Sequence, residues 1–309
     1  MPAERRYGMD HDHYDWSPIV NRDRLEWPNG ARIAVCVIVN LEHVEWRGPD
    51  GSYQVPNLSG GITPRPFPDY ARFSHREYGH RVGIFRVLNV LGKYKINSTV
   101  AMDSFTAANY PYLVKYCLDQ GSEIIAHGIS VSQMITSKMG EQAEREYIQS
   151  SIKAIRRATG TMPRGWLGPE FGESVRTPQL LAEMGVRYVC DFANDEQPYP
   201  MKTVEGDLLA LPVMLELDDT KALWDRRVPV SRYGAVLKES FDVMYRDGSE
   251  NGRLLVLNLH PWLIGQPHRI RYLDDSLGYI MARQGVWAAT GSEITDWYMV
   301  HCRKNEVKS

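Results

Sequence analysis

Asn40, Glu42, His127, Asp191 and His260 stand at or just past the ends of apolar runs in this 309-residue chain. Ile33 to Leu41 runs into Asn40-Leu41-Glu42-His43, Ile124-Ile125-Ala126 into His127-Gly128, and Leu254 to Leu259 into His260-Pro261. Near-continuous apolar runs of this length read as strands of a parallel sheet buried on both faces. Three such strands, each delivering an ionisable or amide side chain at its carboxyl end, predict an active site at one rim of an α/β barrel. Asn40 and Glu42 are two residues apart, so both side chains leave the same face of their strand, toward the barrel mouth. A carboxylate placed there can be a general base, or a metal ligand where histidines converge on it. The competing reading of Glu42 is an exposed loop acid paired with His43. A single buried histidine is more often a hydrogen-bonded core residue than a catalyst, but His127 and His260 repeat the pattern independently. Asp191, which closes Tyr188-Val189-Cys190, either orients a histidine or caps the next element. Asp103, after Thr99-Val100-Ala101-Met102, reads as a cap.

The elements that must carry these residues alternate along the chain. Strands are predicted at Ala31 to Leu41, Ser98 to Asp103, Glu123 to His127, Gly165 to Leu167, Tyr188 to Asp191, Leu208 to Val213, Arg253 to His260 and Val286 to Ala289. Helices are predicted at Tyr78 to Lys93, Tyr110 to Gln120, Glu141 to Thr159, Thr177 to Met184, Tyr233 to Arg246, Ile270 to Arg283 and from Ser292 onward, several stopped by glycine. This alternation without a break in composition predicts one barrel domain over residues 31–300, an N-terminal arm over 1–30 and a polar tail over 301–309. Residues 47–73, dense in glycine and proline, are expected to form a long loop at the rim of the site. His11 and His13 in the arm are read as structural or contact residues rather than metal ligands.

Composition narrows the function classes. The formal net charge of −2 leaves no electrostatic footprint for nucleic acid or an anionic membrane. No apolar run approaches the ~18 residues a membrane span needs. The polar start of the chain lacks the apolar centre of a secretory signal, and Cys36, Cys117, Cys190 and Cys302 show no metal-site spacing; a reducing cytoplasm is the expected home. Phosphate-cradling glycine loops and the G-x-S-x-G elbow are absent, which argues against nucleotide chemistry and an ordinary serine esterase.

The chain resembles the polysaccharide-deacetylase-like (NodB-homology) hydrolases, closest to the branch of cofactor-independent allantoinases and cyclic imidases. The resemblance rests on Trp27-Pro28-Asn29-Gly30, Asn40-Leu41-Glu42, Tyr78-Gly79-His80-Arg81-Val82-Gly83, Ala126-His127-Gly128, Gly165-Trp166, Asp191 and His260-Pro261 through Gly265-Gln266-Pro267. It implies a single distorted (β/α) barrel of seven or eight strands, assembled as a homotetramer. Metal-dependent members carry paired aspartates on the first strand and a second histidine four residues after the first. Here those places hold Asn40 and Glu42, and Val131 stands where the second histidine would be. One carboxylate and one histidine fall short of the three protein ligands of a catalytic zinc, so no metal is expected; if zinc is bound, Glu42 and His127 would hold it, with His43 or His260 as a substitute ligand. The resemblance places Trp166, Glu170, Asn194, Asp195 and Gln197 in segments lining the substrate pocket, and these differ from the allantoinases.

The preferred expectation is an amidohydrolase that opens a small cyclic amide, imide or ureide, with a small molecule as its only expected partner beyond its own copies. Glu42 would act as general base, His127 and His260 would orient water or protonate the leaving nitrogen, Asn40 would donate to the oxyanion, and Asp191 would fix a ring tautomer or touch substrate. The alternatives are a metal-dependent N-deacetylase of polysaccharide or peptidoglycan, and a barrel that has lost catalysis and serves as a binding subunit.

Overall fold

Successive side chains of the first strand divide between two cores, and that division sets the architecture. The computed structural model describes residues 10–47, 50, 58–63, 65–66 and 68–302. In β1 (Ile33–Leu41), Ile33, Val35, Val37, Val39 and Leu41 pack outward against helices, while Ala34, Cys36 and Ile38 face an inner core. That inner core also holds Ala101, Ile125, Tyr188, Cys190, Leu209, Leu254 and Val256 from the other strands. A sheet with one side chain set outside and the next inside is a curled barrel wall. Continuing the alternation past Ile38 puts Asn40 and Glu42 on the inner face.

The strands after β1 are β2 (Thr99–Met102), β3 (Glu123–Ala126), β4 (Gly165–Trp166), β5 (Tyr188–Val189), β6 (Tyr199–Met201), β7 (Leu208–Ala210), β8 (Arg253–Leu259) and β9 (Val286–Ala288). Among the described residues these nine form one sheet in the order β6-β7-β5-β4-β3-β2-β1-β8, with β9 added to the start of β1. All neighbours are parallel except β6 with β7. Eight of the nine were legible as apolar runs; β6, with Pro200 at its centre and no continuous apolar run, was not. The sheet does not close through a pairing of its edge strands β6 and β8 among the described residues; the amide of Leu254 instead donates to the Glu196 carbonyl, 2.8 Å away, across the gap. The result is a distorted (β/α) barrel.

Helices α1 (Tyr70–Tyr78), α2 (Ile84–Lys93), α3 (Ser104–Asn109), α4 (Pro111–Asp119), α5 (Glu141–Thr159), α6 (Thr177–Glu183), α7 (Val230–Asp247), α8 (Pro261–Ile264), α9 (Ile270–Met281) and α10 (Gly291–His301) surround the sheet. The loop expected over 47–73 therefore ends earlier than predicted: Asp69 accepts from the Arg72 amide and starts α1 at Tyr70. A wide π-turn at Gly79–Gly83 joins α1 to α2. Its glycines permit contact with the segment after His260: a Cβ on Gly83 would lie 2.0 Å from the Pro261 carbonyl oxygen, and one on Gly79 would lie 2.9 Å from the Trp262 nitrogen. Part of the N-terminal arm is core, since Leu25 and Trp27 are buried and the Trp27 indole donates to the Arg253 carbonyl at 2.7 Å. The start of the arm before residue 10 and the tail after 302 lie outside the described residues. Among the described residues no helix is long and apolar enough to cross a membrane.

Candidate active site

Glu42 lies one residue past β1 and is buried, with each carboxylate oxygen facing cations. Its Oε1 is 3.1 Å from His127 Nε2, its Oε2 accepts from the Arg76 guanidinium, and His260 Nε2 stands 3.8 Å from the same Oε2. The loop-acid reading of Glu42 is thereby replaced. Burial alone would favour the neutral acid, but the charges of Arg76 and His260 and the bond to His127 outweigh it and hold Glu42 well below the usual carboxylate range. His127 directly follows β3, and the turn after it is made by Gly128 at a φ of +65°, where a Cβ would lie 2.3 Å from the Tyr147 hydroxyl oxygen. The His127 Nδ1 donates to the carbonyl oxygen of Leu167, the residue after β4. Both ring nitrogens of His127 face acceptors; burial opposes the charged ring, and the Glu42 carboxylate more than compensates, so the His127 pKa is raised.

His260 follows β8 and is oriented by a residue that no strand-end pattern predicted. Asp219 Oδ1 lies 2.6 Å from His260 Nδ1, and the Asp219 carboxylate also accepts from the His260 backbone amide at 3.0 Å. Burial disfavours the imidazolium, but Asp219 and then Glu42 prevail and raise the His260 pKa to about 9. Nε2 is left facing the cleft with its proton at neutral pH. Asp218 next door accepts from Asn258 Nδ2 at 2.7 Å and, through its other oxygen, from the amides of Thr220 and Lys221. This chain of bonds continues to Asn40, whose Nδ2 donates to Asn258 Oδ1 at 2.7 Å and to the Leu259 carbonyl at 3.1 Å. Both protons of the Asn40 amide are thus committed within the wall, so it does not serve as the oxyanion donor the sequence suggested.

The cleft above these groups is lined by Asn40, Glu42, His127, Glu170, Lys221 and His260 among others and contains about 260 Å³ of empty space. Asp191 is not in its lining. Its two oxygens accept from the Gly168 amide at 2.8 and 3.0 Å, and burial raises its pKa to about 6 beside the Glu173 carboxyl. It therefore anchors the loop that presents Glu170 rather than a histidine. Trp166 also misses the cleft, because it alternates outward and meets the Tyr147 ring edge-on. Asn194, Asp195 and Gln197 miss it because the chain after Asp191 runs back toward the amino end of β8. There Asn194 bonds Tyr199, Asp195 pairs with Arg22, and Gln197 Nε2 reaches Asn251 and the Gly252 carbonyl at 2.8 and 2.7 Å. Asp103 caps α3 and also receives the His43 amide; burial lifts its pKa to about 7. His11 stacks edge-on against Tyr14 and accepts from the His13 amide.

The donor set does not fit a catalytic zinc at Glu42 and His127. One oxygen of Glu42 already holds a guanidinium, a fixed positive charge where a cation would sit. Val131 is buried against Val44 and Leu58 and offers no ligand atom, and His43 stacks on Phe105 at 3.6 Å. Asp218, Asp219 and His260 lie close enough to share an ion, but their oxygens and Nδ1 are bonded to one another's backbone, Thr220, Asn258 and each other.

An ionised carboxylate next to a protonated histidine, at the carboxyl rim of a barrel, is the apparatus of acid–base hydrolysis. Residues 77–189 match the family described as polysaccharide deacetylase. A putative polysaccharide deacetylase of Schizosaccharomyces pombe is 28% identical over 90% of this chain and 94% of its own length. The crystal structure of a probable polysaccharide deacetylase from Pseudomonas aeruginosa PAO1 superposes with a TM-score of 0.82 at 26% identity, covering 91% of this chain and 95% of that one. That of PuuE allantoinase superposes equally, with a TM-score of 0.82 at 25% identity over 96% and 99% of the two chains. In sequence and fold the chain is thus similar to the polysaccharide-deacetylase-like (NodB-homology) hydrolases.

Proposed function

We propose that this hydrolase opens the ring of a small cyclic amide, imide or ureide. The observation that carries the reading is the pairing of Glu42, locked as a carboxylate by Arg76 and His127, with the Asp219–His260 dyad across a small cleft. Glu42 takes a proton from water as the oxygen attacks the ring carbonyl. The C–N bond then breaks as His260 Nε2 gives its proton to the departing nitrogen, and the Glu42 proton returns to His260 through solvent. The cations around Glu42 also favour the negative charge that develops on the carbonyl oxygen. A carboxylate with a depressed pKa is a weak base. It therefore suits an electrophilic carbonyl, as in imides and ureides, better than the acetamide of an N-acetylated sugar. The PuuE allantoinase likeness supports ring opening of this kind.

N-deacetylation is the second reading, favoured by the family match over residues 77–189. A panel of hydantoins, imides, ureides and N-acetylglucosamine oligomers, scored by mass of product, decides between them. Ring opening that survives exhaustive chelation supports the first reading; acetate release abolished by chelation and restored by zinc supports the second. A reducing compartment forms part of the proposal, in keeping with Cys36, Cys117 and Cys190 as buried thiols.

A further inference from the structure

Beside the cleft lies a wider vestibule, open to solvent, with about 1070 Å³ of empty space; Glu170 and Lys221 line both. Two features of its wall are unusual. Glu170 and Phe171 both hold left-handed backbone, with φ of 52° and 57°, a strained conformation for residues with side chains that is kept by Asp191 gripping the Gly168 amide. The loop is thus fixed with the Glu170 carboxylate at the neck, 3.7 Å from Lys221 Nζ. The second feature is Arg72. It sits four residues before Arg76 on α1, so the two share a helix face one turn apart. Arg76 reaches inward to Glu42, while Arg72 lines the vestibule.

The Arg72 side chain is only 7% exposed, yet its guanidinium makes no hydrogen bond among the described residues. Asp69 Oδ2 forms an ion pair with its Nε at 3.9 Å, beyond hydrogen-bond range, and is itself without a hydrogen-bond partner. A buried guanidinium with unfilled donors costs free energy unless an acceptor reaches it, and the fork geometry of arginine suits a carboxylate. Lys221 is the second cation of the wall, 3.3 Å from Asp225 and 3.7 Å from Glu170.

We propose that the vestibule is an anion subsite, in which Arg72 and Lys221 take the carboxylate of a cyclic amide whose scissile bond lies over Glu42 and His260. The inference rests on the ring-opening reading and narrows its substrate class to rings bearing an acidic arm. The Glu170 carboxylate at the neck opposes a charge placed too deep, so the anion stops one helix turn short of the reacting bond.

The test compares kcat/KM for hydantoin and for 5-carboxymethylhydantoin in the wild type, Arg72→Gln and Lys221→Met, with melting temperatures recorded for each. The wild type is expected to prefer the carboxylated ring, and Arg72→Gln to reduce that preference by about 10- to 100-fold, the worth of a charge-assisted bond. Lys221→Met, at a more exposed position, guards against misfolding of the buried variant and should reduce the preference by about threefold to tenfold. Equal use of the two rings by the wild type, or a preference unmoved in both variants, overturns the subsite. If the wild type opens neither ring, the ring-opening reading is decided on the wider panel of imides and ureides. Calorimetry with 5-carboxymethylhydantoin then judges the subsite: binding weakened in Arg72→Gln upholds it, and no binding or equal binding overturns it.

Discussion

Asp219→Asn separates an acid catalyst from a histidine that only packs. The His260 pKa stands at about 9 against an ordinary 6.5. At ~1.4 kcal/mol per unit, this amounts to roughly 3 kcal/mol of preference for the imidazolium. Asp219, 2.6 Å from Nδ1, is the largest of the groups that raise it, ahead of Glu42. Asparagine keeps a carbonyl that can accept the Nδ1 proton but removes the charge, so the His260 pKa should fall by about 1–2 units. The sign is fixed by which form is active. The protonated ring is the acid, so wild-type kcat/KM is flat through neutrality and declines as pH rises through about 9, and in Asp219→Asn that decline begins at lower pH. Linkage adds a second readout, because a raised histidine pKa stabilises the fold fully below 6.5 and loses that contribution as pH rises through about 9. Urea unfolding at pH 6 should therefore show Asp219→Asn less stable by about 1–3 kcal/mol, with the gap closing toward pH 10. An alkaline limb that stays at its wild-type position, whatever the loss in rate, would refute the assignment of His260 as the acid.

Two other perturbations follow from the same geometry. Arg76→Met removes the strongest cation holding Glu42 ionised, so the Glu42 pKa rises and the acid limb of the pH–rate profile moves to higher pH. Breaking one side of this buried pair should also cost about 3–5 kcal/mol, read by chemical denaturation. Gly83→Ala drives a Cβ to 2.0 Å from the Pro261 oxygen, directly after His260. It should lower stability by about 1–3 kcal/mol and reduce kcat by displacing that histidine, measured by thermal melting and steady-state rates.

The barrel and the convergence of Glu42, His127 and His260 were legible because strand alternation is a strong constraint. Once Ile33 to Leu41 is a buried strand, the inner face must carry Asn40 and Glu42, and the same rule aims His127 and His260 at the same rim. Arg76 and Asp219 were not legible. Arg76 lies on a helix whose start was hidden by the glycine- and proline-rich loop before it, and Asp219 lies in the irregular segment after β7, where no period applies. The only sequence signal for the latter is the adjacent pair Asp218-Asp219 itself. Asn194, Asp195 and Gln197 were misplaced because strand order says where a strand ends and nothing about the direction of the loop beyond it. Asn40 was placed correctly in space, but its committed protons depend on Asn258, a partner 218 residues away.

The central claim is that Glu42 activates the attacking water. Glu42→Gln keeps the shape of the side chain and an acceptor for Arg76 while removing the base, so turnover of the best ring substrate at saturation should fall by at least ~10³-fold, with binding of that substrate retained. Turnover within about tenfold of the wild type by a folded Glu42→Gln protein would contradict it.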